Sequence, residues 1–307
     1  MQTSGVRAAA PQVRLGILGY GEVGHGLAVG LGKAGVRSIA AYQRTPHGPL
    51  TRERAGASGV RLVASPEELA GCADLVIAVT QGSQSMAAAG AIAPALTGDH
   101  CYVELASASP ATKRQVAQVL APSGAAFADG VIEGSPLEHE HRFGVLVSGP
   151  GARRFAELMT PWGMRIAVAG DEVGRAAAIK GLRHILTKGQ IALLLECAVA
   201  ARCAGIDREV LTSVAEWYDA LPFMQNATRL VRTTTVHARR RADEAAMACD
   251  MLLEMGIEPV MTRATVATLE KVAALGLRER TGGVLPATLE AAIDLIYDDW
   301  VHPKETP

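Results

Sequence analysis

Apolar residues come in short runs as far as residue 170, with helix-like stretches between them. The runs at 13–18, 36–42, 60–64, 75–80, 101–105, 125–128, 143–148 and 165–169 have the length and the Val, Ile and Leu content of buried strands. Helical spacing of apolar positions fills 22–34, 66–71, 82–95, 110–121 and 151–159. Strands alternating with helices predict an α/β architecture with a doubly wound, mostly parallel sheet. Between 125 and 148 two strand runs are separated only by a polar loop, which predicts a hairpin or a mixed edge late in the sheet.

After Gly170 the pattern changes. The chain becomes rich in Ala, Leu, Glu and Arg, and no strand run stands out. One long helix is expected from Asp171, a suitable N-cap, to about Ala204, with Gly205 as its stop. Its apolar residues, Ile179, Leu182, Ile185, Leu186, Ile191, Leu193, Leu194, Leu195 and Val199, cover most of its circumference. A helix apolar all round must be covered on all sides. The remaining residues offer little cover, so a second subunit is expected to pack there. Further helices are expected near 207–218, 222–256, 260–275 and 286–299. The organisation read from this is a flexible start at 1–10, a nucleotide-binding domain at 11–170, and an all-α substrate and dimerisation domain at 171–307.

Composition narrows the function. A chain of 307 residues can bury two cores. Its formal net charge is −1, and it has no basic stripe with interleaved aromatics, which argues against a nucleic-acid partner or an anionic membrane. The five cysteines form no C-x-x-C pair and read as small buried hydrophobes in a reducing compartment. The first ten residues lack an apolar core long enough for a signal peptide, and no segment has eighteen apolar residues free of charge. A cytoplasmic protein that binds a small molecule, with no membrane partner, is expected.

The chemistry enters at VRLGILGYGEVGHG (13–26). An apolar strand run ends in Gly19, Gly21 and Gly24, a G-x-G-x-x-G, and a helix follows at once. A dinucleotide pyrophosphate needs that order. The first glycine permits a tight turn, the second lets the backbone approach the phosphates, and the third lets the helix pack on the strand, its N-terminus facing the negative charge. Tyr20, Glu22 and Val23 lie within this loop and are counted with it as cofactor-binding. About twenty residues further on, a domain that prefers NAD carries Asp or Glu on the ribose hydroxyls. Here Gln43, Arg44 and Thr45 stand instead. An amide, a guanidinium and a hydroxyl suit a 2′-phosphate, so NADP is expected in preference to NAD.

Three further segments complete a resemblance. ADLVIAVTQGSQSM (73–86) is similar to a fourth strand and its loop beside the adenosine half, with Thr80 at the turn. YVELASASPATKRQV (102–116) resembles the motif D-x-[SN]-[ST]-x-x-P, with Glu104, Ala106, Ser107 and Pro110 in the matching places. GRAAAIKGLRHILTKG (174–189) resembles the interdomain-helix motif G-x-G-x-x-x-K-x-x-x-N. Together these resemble the 6-phosphogluconate dehydrogenase and β-hydroxyacid dehydrogenase superfamily over nearly the whole chain. The tail HARRRADEAAMACDMLLEMGIEPVMTRATVATLEKVAALGL (237–277) resembles a branch whose C-terminal domain has no settled function.

The resemblance implies a homodimeric oxidoreductase, with a lysine on the long helix as general acid or base on the substrate oxygen. Lys180 occupies that place. Its own setting agrees, because a lysine in an apolar helix is costly to bury charged and its pKa should fall toward the working pH. The family asparagine is replaced by His184, which shares a helix face with Lys180 and is expected at the site. Arg183 is a candidate anion clamp. The family substrate loop is recognisable as DGVIEGS (129–135), where Glu133 takes the place of a serine that helps hold a substrate carboxylate. That carboxylate would repel an acid unless an arginine balances it, or it turns away to pair with one of Arg239, Arg240 or Arg241. Ser107, Gly134 and Ser135 are expected at the nicotinamide or substrate edge. Glu138, His139, Glu140 and His141 include an H-x-H, which on a strand would put both rings on one face; no third ligand stands at a familiar spacing, so no metal is expected and the stretch reads as a solvated loop. The function implied is hydride transfer between NADP(H) and an alcohol or carbonyl. Two rivals remain. One is an imine reductase on the same scaffold, which Glu133 could favour and Lys180 argues against, since such enzymes often replace the lysine. The other is a non-catalytic NADP-binding sensor, which has no need of the lysine.

Overall fold

The computed structural model describes residues 12–45 and 48–302, so the expected flexible start at 1–10 lies outside the described residues. The elements run β1 (Arg14–Leu18), α1 (Glu22–Ala34), β2 (Ser38–Tyr42), α2 (Pro49–Ser58), β3 (Arg61–Leu62), α3 (Pro66–Cys72), β4 (Leu75–Ala78), α4 (Ser85–Ile92), β5 (Cys101–Glu104), α5 (Pro110–Leu120), β6 (Ala126–Glu133), α6 (Pro136–His139), β7 (Gly144–Ser148), α7 (Ala152–Met159) and β8 (Arg165–Val168). Six helices follow: α8 (Arg175–Cys203), α9 (Asp207–Asp219), α10 (Phe223–Glu254), α11 (Val260–Ala274), α12 (Leu277–Arg280) and α13 (Leu289–Val301). The chain divides into two compact units between His184 and Ile185.

In the first unit eight strands form one sheet in the order β3-β2-β1-β4-β5-β6-β7-β8. All neighbours are parallel except β6 and β7, which pair antiparallel from Asp129↔Ser148 to Glu133↔Gly144. The mixed edge expected from residues 125–148 is therefore present. The central strands are apolar on both sides because a parallel sheet is covered on both faces. Leu15, Ile17, Leu75, Ile77 and Val103 face one core with Leu27, Leu31, Phe143 and Phe155. Leu18, Val76 and Tyr102 face the other with Leu69, Ile92 and Val116. Local chemistry starts the helices of this second face: Ser65 and Ser109 accept from the amides of Glu68 and Thr112, with Pro66 and Pro110 in the first helical turn.

Two departures from the sequence expectations concern helices. Between β2 and β3, where the apolar pattern predicts no helix, lies α2. It buries only Thr51 and Ala55, too little to leave an apolar stripe in the sequence. The long helix starts at Arg175, not at Asp171. Gly174 adopts φ +94, a left-handed conformation that cannot belong to a right-handed helix, so the chain turns there first. Its C-terminal stop is as expected, with Gly205 at φ +74.

The second unit has no strand among the described residues. Glu196 on α8 accepts from the amides of Met261 and Thr262, both at 2.8 Å, and so caps α11 from a distance. α10 is broken at His237, whose φ −112 and ψ 15 leave the helical region. Thr233, Thr234 and Thr235 bond back to the carbonyls of Arg229, Leu230 and Arg232, which bends a helix, and Arg241 donates to the carbonyl of Leu230 at 3.0 Å. The apolar side chains expected to be covered all round α8 are exposed in the single chain, Ile185 at 73 % and Leu182 at 67 %. By length and composition alone α8 could also cross a bilayer, with a mean hydropathy of 1.3 over its most apolar window.

Candidate functional site

β1 ends in the glycine loop. Gly19 has φ +100, and a Cβ there would stand 3.0 Å from the carbonyl oxygen of Val79. A Cβ on Gly24 would press into the Gly19 carbonyl, so only glycine lets α1 come this close to the strand. Gly21 differs from both. Nothing lies within 4 Å of where its Cβ would be, and as the N-cap of α1 it offers the helix amides no side-chain acceptor. The open side of the loop is thus a cradle that a Cβ would fill and a phosphate could occupy.

The loop is held from behind. Gln43 Oε1 accepts the backbone N–H of Tyr20 at 2.8 Å, and Gly19 donates to the carbonyl of Tyr42 at 2.9 Å. The Tyr20 ring is buried, with its hydroxyl 2.6 Å from Ser58 Oγ and 3.2 Å from His25 Nδ1. Tyr20 therefore gives neither its ring nor its amide to the cradle; it braces the loop. Glu22 is exposed, 3.9 Å from Arg54. A cavity of about 380 Å³ opens beyond the loop, lined by Gly19, Gly21, Gln43, Arg44, Thr80 and Gln84 among others. Arg44 donates to Gln84 Oε1 at 3.2 Å, and Thr45 is exposed beside it. These residues fit a dinucleotide.

A second cavity of about 270 Å³ shares Val79 and Thr80 with the first. It is lined by Val23, Ser107, Ile132, Gly134 and Lys180. Thr80 lines both cavities, and its Oγ1 is buried with no hydrogen-bond partner among the described residues. Gly82 lets its loop approach Ser107, since a Cβ there would collide with the Ser107 carbonyl. Ser107 itself is exposed, and Ser135 is half-buried at the start of α6.

Lys180 is half-buried on α8. Burial holds its pKa below the ordinary lysine value; the charges of Arg183 and Lys113 push the same way, and Glu133 pushes back. Glu133, at the end of β6, is ion-paired with Arg183. On α10, Arg240 pairs with Glu244, and Arg241 donates to Thr233 and Thr234. His184 is half-buried on the turn after Lys180. The H-x-H stretch is neither a strand nor a solvated loop. His139 ends α6 exposed, whereas His141 is buried with Nε2 3.1 Å from the carbonyl oxygen of Trp162. Among the described residues no three His, Cys, Asp or Glu gather to hold a metal.

One part of the site was missed from sequence. Lys113, on α5, is fully buried and donates to the carbonyls of Glu104 at 2.7 Å and Gly130 at 3.0 Å. Its Nζ lies 3.4 Å from Asp129 Oδ1, and Glu104 and Asp129 are buried too. The available signal was that Lys113 falls on the same helical stripe as Val116 and Leu120, both buried.

A strand, a glycine loop and a helix N-terminus facing a cavity, on a mostly parallel sheet, define a dinucleotide-binding domain. Residues 14–170 match the family model described as the NAD binding domain of 6-phosphogluconate dehydrogenase, and this chain belongs to that family. Residues 201–272 match a domain of unknown function (DUF1932), as the tail's resemblance implied. A conserved protein of unknown function, described as structurally similar to 3-hydroxyacid dehydrogenases, is 31 % identical; the match covers 88 % of this chain and 99 % of that one at a TM-score of 0.59. An imine reductase variant from Myxococcus stipitatus in complex with NAD+ is 18 % identical over 94 % of this chain and 100 % of its own, at a TM-score of 0.76. A reductive aminase from Aspergillus terreus in complex with NADPH4, cyclohexanone and allyl amine is 18 % identical over 92 % of this chain and 99 % of its own, at 0.74. The last two show the fold alone. The fold is NAD(P)-binding and 3-hydroxyacid dehydrogenase-like.

Proposed function

We propose that this chain is an NADP-dependent oxidoreductase of the β-hydroxyacid dehydrogenase type, interconverting an alcohol and a carbonyl on a small polar substrate with Lys180 as general acid and base. The observation that carries this reading is Lys180 in the wall of a cavity that shares Val79 and Thr80 with the cavity lined by the glycine loop. A bound nicotinamide supplies or accepts the hydride. Lys180 gives a proton to the substrate oxygen in reduction and takes one in oxidation, and its lowered pKa suits both. His184, on the same helix face, orients the substrate. The pairing of Glu133 with Arg183 offsets the repulsion that a lone carboxylate would exert on an acid, so hydroxy acids stay within the substrate range. For the cofactor, Gln43 spends its oxygen on Tyr20, which leaves its NH2 group, with Arg44 and Thr45, for a 2′-phosphate.

The exposed apolar face of α8 supports a homodimer through the second unit, and five unbridged cysteines support a reducing, cytoplasmic setting. A second reading, imine reduction, has the likeness to the imine reductase fold in its favour. The test is a panel of hydroxy acids, ketones and cyclic imines followed by NADPH absorbance, with NADH in parallel. Turnover of carbonyls with NADPH supports the first reading, and turnover of imines alone supports the second. Cofactor binding without any turnover would mean a sensor, and equal use of NADH would remove the argument from Gln43, Arg44 and Thr45.

A further inference from the structure

α8 carries Lys180, and its first turn needs acceptors for its amides, as every helix start does. The acceptors come from two other strands. Asp129 Oδ2, from β6, accepts the N–H of Gly174 at 3.1 Å and of Ala177 at 3.2 Å. Ser148 Oγ, from β7, accepts the N–H of Ala176 at 3.0 Å and donates to Asp129 Oδ2 at 3.2 Å. Arg175 uses the carbonyl of Glu172 at 3.3 Å, and Ala178 that of Gly174 at 2.8 Å. The whole start of α8 is therefore accounted for, and its centre is one buried carboxylate. Ala176 and Ala177 are buried against the sheet, and Lys180 stands one turn later on their side of the helix.

A buried carboxylate needs a counter-charge. Lys113 supplies it, and its two other bonds go to the carbonyls of Glu104, at the end of β5, and Gly130, within β6. Neighbouring Glu104 has its own carboxyl raised by burial, an effect that Lys113 opposes. One ammonium thus ties together β5, β6 and the carboxylate that caps α8.

We propose that Lys113 is a positioning residue: by fixing Asp129 as the cap of α8 it sets where Lys180 stands in the cavity. The inference rests on the proposed role of Lys180 for its catalytic consequence, but not for its structural one. The charged groups that face Lys180 are Arg183 on α8, Glu133 from β6 and Lys113 from α5, and removal of Lys113 withdraws one of the two that disfavour its protonation.

The test is Lys113→Met, read in three ways. Hydrogen exchange of the amides from 174 to 177 should quicken by at least tenfold relative to the rest of α8, the loss of one protecting interaction. The titration of Lys180, followed by NMR of 13C-dimethylated lysines and assigned with Lys180→Ala, should move up toward the ordinary lysine value. On a substrate that the wild type turns over, kcat should fall by up to about a hundredfold with KM little changed, as expected when a reacting group is misplaced. Unchanged exchange and an unchanged Lys180 titration in a folded Lys113→Met protein overturn the proposal. If exchange and titration move and the rate does not, the positioning stands and the catalytic reading of Lys180 fails. Should Lys113→Met not fold, Lys113→Met/Asp129→Asn removes both charges together. The proposal then expects the same faster exchange at 174–177, and wild-type exchange there overturns it.

Discussion

Two helices start beside the same sheet and are finished in opposite ways. The start of α1 is left open: Gly21 brings no side-chain acceptor, and the space around its missing Cβ is empty. The start of α8 is sealed, its amides taken by Asp129, Ser148 and nearby carbonyls. Both ends present the same partial positive charge. The difference lies in what answers it. An open end can receive a ligand's negative charge. A sealed end receives none, but it gains a fixed position, and fixed position is what a reacting side chain one turn later requires. The fold thus uses one property of the helix for two purposes.

The hardest blow to the sealed end is Lys180→Ala, which should lower kcat by about 10²–10⁴-fold while NADPH binding, measured by fluorescence titration, stays as it was. Survival of turnover would mean that the sealed end positions nothing catalytic. The same lysine fixes a pH signature. Because its pKa is depressed, the neutral amine appears below the ordinary lysine range; oxidation should gain rate, and reduction lose it, as pH rises through that point. Profiles of kcat in the two directions should slope oppositely.

Asp129→Ala removes the seal itself and leaves Lys113 buried without its partner. Denaturant unfolding should show a loss of about 3–5 kcal/mol; a loss under about 1 kcal/mol, the typical size of a single neutral hydrogen bond, would reduce the seal to an ordinary cap. Gly21→Val attacks the open end. Stability should hold, since nothing is near enough to collide. NADPH affinity should drop by about 1–3 kcal/mol, as amides lose their acceptor. If affinity is kept, the open end is not where the phosphates sit. The smallest effect is expected from Arg44→Ala, an exposed side chain, at about 1 kcal/mol against NADPH and none against NADH. Equal losses with both cofactors would detach Arg44 from the 2′-phosphate.

The open end could be read from the sequence and the sealed end could not, for a physical reason. Everything at α1 is local: strand run, glycines and helix follow within a few residues. At α8 the cap comes from residues 129 and 148, far from the amides they bind, while nearby Asp171 offers a false local cap that Gly174 at φ +94 rules out. Lys113 was hidden because lysine on an amphipathic helix ordinarily means solvent. Tyr20 and Gln43 fell in the right loops, after β1 and after β2, but their neighbours were out of sight: Ser58 and His25 engage the Tyr20 hydroxyl, and the Gln43 oxygen bonds the Tyr20 amide instead of standing free. The mixed edge at β6 and β7 was legible because the connection between the two runs, which holds only the one-turn α6, is too short for a parallel crossover.

Gly30 on α1 and His141 just after α6 share a space that only one of them can fill. A Cβ on Gly30 would collide with His141 Nδ1 and stand 2.9 Å from Glu140 Cβ, and the ring is held by its bond to the Trp162 carbonyl. The two positions are therefore coupled in this chain: a methyl group at 30 requires His141 to shift or give way to something smaller, and the bond to Trp162 goes with it.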